Sequence, residues 1–133
     1  MQMVKKIVWS DSFSVGNAEM DAQHQKIIAM VNDLIDAQTS QELPTRLHQA
    51  LHDMFLYSRD HLSDEEALLR DLDYPDLDAH IAEHEAYIER MAMLSLAAST
   101  NEAITSLEVI QFLRSWWQQH ILHEDMKYAA LFK

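Results

Sequence analysis

Apolar residues recur along this chain in steps of three and four, the period of helices that bury one face. The clearest run is Leu47, Leu51, Met54, Ser58, His61, Glu65, Leu68 and Leu72, which alternates steps of four and three without a miss. His80, His84, Tyr87, Met91, Leu94 and Ala98 step in the same way. Earlier, His24 leads to Ile27 or Ile28, Val31 and Ile35; later, Val109, Leu113 and Trp116 lead to His120. The pattern predicts four helices. The first runs from about Ala18 to Ala37. The second opens near Thr39 and Glu42, spaced as a capping box, with Pro44 fitting only a first turn, and continues to about Asp71. Asp73-Tyr74-Pro75-Asp76 reads as a turn. The third runs from about Leu77 to Ala98. Ser99 and Glu102 repeat the capping-box spacing and open the fourth, which reaches about Ala130. Residues 1 to about 18 read as a non-helical N-terminal arm carrying Trp9, Phe13 and Val15, then Gly16 and Asn17. The expected fold is all-α, an up-down-up-down antiparallel four-helix bundle, with residues 1–133 forming one domain.

Polar residues interrupt the apolar stripes at the same level of this bundle. His24, His61, Glu65, His80, His84 and His120 all fall on inward positions. His24 and the His80–His84 pair lie early in the first and third helices, and His61 and His120 lie late in the second and fourth. In an antiparallel bundle these positions meet at one end. A single core histidine is usually a satisfied hydrogen-bonding group. Burying five rings and a carboxylate costs several kcal/mol, roughly, unless something pairs with them, and a metal cation does so at once. His48 and His52 serve as controls. They are also four apart, yet they stand roughly 140° and 180° around the helix from His61 and belong to the solvent face. His123 reads as a bystander or an outer neighbour of the site.

Composition narrows the chemistry. There is no cysteine, which removes disulfides, thiolate zinc sites and iron–sulfur clusters together. Any metal here is held by nitrogen and oxygen. One glycine and two prolines suit a few long helices. The net charge of −12 makes nucleic acid and anionic membrane surfaces poor partners. The start of the chain shows no signal-peptide core, and no apolar run approaches a membrane span, so the expectation is a cytoplasmic protein.

Imidazole and carboxylate suit iron, zinc, manganese or copper about equally. Five imidazoles exceed what one tetrahedral zinc takes, whereas two carboxylate-bridged metals would use them well. The carboxylate-rich Glu-x-x-His pattern is absent: the residues three before the inward histidines are Asp21, Ser58, Leu77, Ile81 and Trp117. Periodicity places Glu124, four after His120, as a further candidate.

His24 in Asp-Ala-Gln-His, His61 with Glu65 in His-x-x-x-Glu, His80 with His84 in His-x-x-x-His, and His120 with Asp125 in His-x-x-x-x-Asp together resemble the hemerythrins, specifically the single-domain bacterial ones. The resemblance covers nearly the whole chain, including Trp9, Phe13, Gly16 and the Tyr74-Pro75-Asp76 turn. It implies two iron ions, Fe2+ or Fe3+, with an oxo or hydroxo bridge. One iron takes His80, His84 and His120, the other His24 and His61, and Glu65 and Asp125 bridge them. It selects Asp125 over Glu124, and Asp125, five after His120, reaches inward only if the helix is locally broken or bulged in the π manner. It implies a carrier, not an enzyme, that binds O2 reversibly at the open position of the second iron, for carriage, storage or sensing. Nitric oxide and small anions such as azide are expected ligands of the same position. Against the family pattern, Leu62 stands where Phe is usual and Trp117 where Leu is usual, both near the O2 pocket. Trp117 is expected to cap the O2 side. Peroxide or nitric oxide detoxification, or iron oxidation, is the competing class of function at the same centre. A sensor passing signals to a partner is a third class, and the sequence shows no output segment for it.

Overall fold

The computed structural model describes residues 4–100 and 106–132. Among them there is no strand. Four helices carry the fold: α1 (Ala18–Asp36), α2 (Leu43–Asp71), α3 (Leu77–Thr100) and α4 (Ser106–Gln119). Beyond α4 the chain continues as a π-helical turn over His120–Asp125, one α turn over Met126–Tyr128 and a 3-10 turn over Ala129–Leu131. α1 packs against α2 and α4, and α2 packs against α3. α3 meets α4 through the rings of Tyr87 and Trp116, 4.2 Å apart.

The expected helix ends hold at α1 and at the end of α2. Asn17 caps α1, its Oδ1 accepting the Met20 N–H at 2.9 Å. Gly16 just before it sits at φ 84, a conformation glycine adopts without the Cβ clash other residues meet, and this lets the arm turn into the helix. The Thr39–Glu42 capping box does not form. α2 begins at Leu43, so Thr39 lies too far upstream to cap it, and Ser40 instead accepts the Glu42 N–H on its Oγ. Pro44 stands in the first turn as its missing N–H requires. Ser99 falls in the last turn of α3 rather than opening α4, and Glu102 lies outside the described residues.

The arm lies along α1, held by side-chain amides that substitute for a partner strand. Asn32 accepts from the Ile7 N–H and donates to its carbonyl; Gln38 does the same for Val4. Val4, Ile7 and Phe13 are buried, with Trp9 stacked on Phe13 at 5.4 Å.

Two apolar clusters build the interior. The larger fills most of the bundle, including Leu51, Met91, Leu113 and Trp117. The smaller gathers Val15, Met20, Leu69, Tyr74, Tyr128 and Ala129 at the end where α1 and α3 begin. Between them, by position along each helix, lies the layer of buried histidines and carboxylates. Two seam assignments differ from the periodic reading. Leu72 is 40% exposed, because α2 ends at Asp71 and Asp73 turns away at φ 54, and Leu69 fills the seam instead. On α4 the fully buried ring is Trp117, while Trp116 is only partly covered and lies flat on His120, 4.4 Å away. On α4, Val109, Ile110, Leu113 and Trp117 are all buried, so its inward face is broader than a single stripe of three- and four-residue steps and is not centred on Trp116.

Candidate metal centre

His24, His61, Glu65, His80, His84, His120 and Asp125 are all buried, at 2% exposure or less. Their donor atoms form two groups, each within a 4.8 Å span: Glu65, His80, His84, His120 and Asp125 in one, and His24, His61 and Glu65 in the other. Each carboxylate divides its oxygens between the groups. Glu65 Oε1 lies 2.7 Å from His80 Nε2 and 3.2 Å from His84 Nε2, while its Oε2 faces His24 at 3.3 Å and His61 at 3.5 Å. Asp125 Oδ1 lies 3.1 Å from His120 Nε2 and 3.2 Å from His80 Nε2, and its Oδ2 lies 3.0 Å from His24 Nε2.

The π-helical turn makes the Asp125 placement possible. Adding one residue to the turn brings the fifth position after His120 back to the inward face. Glu124, the better guess from α-helical spacing, points outward and pairs with Lys127 at 3.1 Å. His48 and His52 are exposed, as their helical angles require, and His123 is exposed as well.

The donor set passes a direct test for cations. Three histidines give their Nδ1 protons to acceptors outside the cluster. His84 donates to Glu66 Oε2 at 2.8 Å and His120 to Glu83 Oε1 at 3.3 Å. His61 donates to Gln23 Oε1 at 2.6 Å, and the Gln23 amide is oriented by its own donation to Asp64. With Nδ1 protonated, the neutral rings present bare Nε2 lone pairs inward. The Nε2 atoms of His84 and His120 then face each other at 3.2 Å, lone pair against lone pair. Both Asp125 oxygens and His61 Nε2 are buried without a hydrogen-bond partner, despite nitrogens or oxygens close by. Short contacts without hydrogen-bond alignment are what atoms aimed at a shared third point produce. An orphaned buried polar group costs about 1–3 kcal/mol. Cations between these atoms would satisfy all of them, so the residues fit a metal pair. His24 Nδ1, on the ring edge away from the carboxylates, also lacks a partner.

Without a cation, protons would take up the charge. Burial opposes charging of His24, yet the Asp125 and Glu65 carboxylates outweigh it and raise its pKa to about 9. His80 rises to about 9 and His120 to about 10, again against burial, through the same two carboxylates and, for His120, Glu83. His61 goes the other way, pushed down to about 4 by burial. Burial favours the neutral acids, but the surrounding imidazoles hold Glu65 and Asp125 below the usual carboxylate range.

Four interacting residues escape the periodic reading, and a fifth, Tyr87, is placed by it but without its polar role. Gln23, Glu66 and Glu83 are each adjacent in sequence to a cluster residue, and each reaches a histidine on the following helix. Tyr128 is fully buried and donates to Glu65 Oε2 at 2.9 Å. Tyr87, expected only as core, accepts the Trp117 Nε1–H at 3.0 Å and contacts Ser58 Oγ at 3.0 Å. Leu62 and Trp117 are both buried in the larger apolar cluster, and the Trp117 ring lies 6.0 Å from His61 and 6.2 Å from His120.

The fold and the site define a helical bundle whose buried histidines and carboxylates could hold metal ions. Residues 15–132 match the family model described as the hemerythrin HHE cation binding domain, and the chain belongs to the hemerythrin family. It is 33% identical to the bacteriohemerythrin of Stenotrophomonas maltophilia, over 92% of this chain and 79% of that one. It is 30% identical to a hemerythrin-like protein of Naegleria gruberi, over 92% of this chain and 91% of that one. Among solved structures, a wild-type hemerythrin crystal structure superposes with a TM-score of 0.85 at 28% identity, covering 95% of this chain and 97% of the other. No helix among the described residues is long and apolar enough to cross a membrane.

Proposed function

We propose that this protein binds and releases O2 at a non-haem di-iron centre held by His24, His61, Glu65, His80, His84, His120 and Asp125. The observation that carries the reading is the division of both carboxylates. Glu65 and Asp125 each direct one oxygen to the three-histidine group and the other to His24. One ion would have no use for that arrangement, whereas two adjacent ions would share both bridges. His80, His84 and His120 would hold one iron and His24 and His61 the other, so the second iron has one ligand fewer. Two ferrous ions held there would supply the two electrons that O2 takes up on binding and gives back on release.

The chain's own residues make that exchange reversible by controlling water and protons. The apolar clusters on both sides of the layer exclude bulk solvent, which suppresses hydrolytic loss of the bound ligand. Trp117 closes one wall beside His61, and Tyr87 holds its indole in place. Tyr128 keeps a hydroxyl proton on Glu65 Oε2, which fixes the bridging carboxylate. The Nδ1 protons of His61, His84 and His120 are tied to Gln23, Glu66 and Glu83, which keeps these rings from feeding protons repeatedly into a turnover cycle and favours carriage over peroxide or nitric oxide chemistry.

The test is spectroscopic. Iron-loaded protein, reduced without air, is titrated with O2 and then purged with argon. A visible charge-transfer band that rises with O2, saturates at one O2 per two irons and disappears on purging supports the proposal. A band that never reverses, with O2 consumed beyond that ratio, rejects carriage in favour of an oxidase or detoxifying role.

A further inference from the structure

The outer partners of the histidines are not equivalent on the two sides of the cluster. His84 and His120, both in the three-histidine group, hand their Nδ1 protons to carboxylates, Glu66 at 2.8 Å and Glu83 at 3.3 Å. His61, in the two-histidine group, hands its proton to the neutral amide of Gln23, which Asp64 prevents from turning over. His24 Nδ1 has no hydrogen-bond partner among the described residues. A carboxylate accepting the Nδ1 proton gives the ring partial imidazolate character and strengthens the lone pair on Nε2. A neutral amide does this far less.

We propose that Glu66 and Glu83 are positioning residues that make the three-histidine half of the centre the tightly held half, leaving the half formed by His24 and His61 as the one that exchanges its ion. The inference rests on the two-metal reading above. The three-histidine half has one more imidazole and two carboxylate-backed rings, while the bridging carboxylates are common to both halves. The other half has fewer ligands and only an amide behind His61. Glu66 acts more strongly than Glu83, because its contact is 0.5 Å shorter (2.8 against 3.3 Å) and its side chain less exposed, 24% against 37%. Solvent screens the long-range field of both glutamates, but the hydrogen bond itself is direct and acts on the ring that carries the donor atom.

The experiment compares metal release from full-length wild type, Glu66→Gln, Glu83→Gln and Gln23→Glu. Each substitution keeps the side-chain length and an acceptor oxygen; Gln23→Glu is made together with Asp64→Asn, so that the new carboxylate keeps a donor at the position Asp64 now occupies. Protein loaded with two ferrous ions without air is challenged with a coloured ferrous chelator. Wild type should release one ion fast and one slowly. Removing such an outer partner weakens a metal site by roughly 10- to 100-fold. Glu66→Gln should therefore speed the slow phase by about 10-fold or more, and Glu83→Gln by less. Gln23→Glu should slow the fast phase. Nitrogen NMR of the zinc-loaded chain supplies a readout that folding does not move: the Nδ1 atoms of His84 and His120 should resonate nearer the imidazolate position than that of His61. Wild-type release kinetics in the two glutamate variants, or equal acceleration of both phases, overturns the inference. So does single-phase release from a wild type that holds two ions. A wild type that never holds two ions overturns the two-metal reading itself and this inference with it.

Discussion

Removing one hydroxyl tests how the wall of the centre is held. Trp117 Nε1–H is a donor only, so at 3.0 Å the Tyr87 oxygen must accept it. The Tyr87 proton is then free to go to Ser58 Oγ, also 3.0 Å away. All three side chains are at 1% exposure or less, so no water replaces a lost partner. Tyr87→Phe keeps the ring and its packing on Trp116 but leaves the indole N–H without an acceptor. That orphan costs about 1–3 kcal/mol, while Ser58 can turn to a carbonyl of its own helix and loses little. The expected loss is about 2 kcal/mol, a fall of several degrees in melting temperature for a chain of this size. In a Trp117→Phe background the N–H is already gone. The same Tyr87→Phe change should then cost under about 0.5 kcal/mol, giving a coupling energy of roughly 1–2 kcal/mol. Denaturant unfolding of the four metal-free proteins measures this cycle. Equal cost in both backgrounds would refute the reasoning, since it would mean that the hydroxyl acts without the indole.

Three further outcomes follow from the same geometry. Asp125→Ala should purify with fewer than two irons per chain while Glu124→Ala retains both; equal loss in the two would contradict the role given to the π-helical turn. Trp117→Leu should autoxidise faster than wild type in air, because a smaller side chain opens the wall 6.0 Å from His61, and indistinguishable rates would remove Trp117 from the control of access. In the metal-free protein, His24, His80 and His120 have pKa values raised to about 9, 9 and 10. A raised folded-state pKa gives stability that is fully present below the ordinary histidine value and lost as pH climbs through the raised one. The melting temperature of the metal-free chain should therefore fall between pH 7 and pH 10, and a flat profile over that window would contradict the pairing of these rings with Glu65 and Asp125.

The level of the site was legible in the sequence because helical period and antiparallel order together put His24, His61, His80, His84 and His120 at one height. The same reasoning separated His48 and His52 from them, and both are exposed. It failed where the helix departs from its ideal period. Asp125 could not be chosen over Glu124 from α-helical angles, since a π turn has no strong sequence signal and is visible only in the fold. The stripe placed Trp116 in the core, whereas Trp117 is the fully buried ring and Trp116 is partly covered, because the inward face of α4 is broader than a strict stripe. The outer partners were illegible for a different cause. Gln23, Glu66 and Glu83 sit beside cluster residues on half-covered faces, and their targets lie on neighbouring helices. Only the relative rotation of two packed helices decides which ring each one meets. The Thr39–Glu42 spacing shows the converse, a correct local motif with no helix start in the place it would cap.

The central claim is a carboxylate-bridged pair of irons inside this bundle. Diffraction from crystals of the iron-loaded protein, collected on either side of the iron absorption edge, tests it most directly. The account predicts two anomalous peaks per chain, both lying between Glu65 and Asp125, one beside His80, His84 and His120 and the other beside His24 and His61. A single peak, or iron bound away from Glu65 and Asp125, would contradict it.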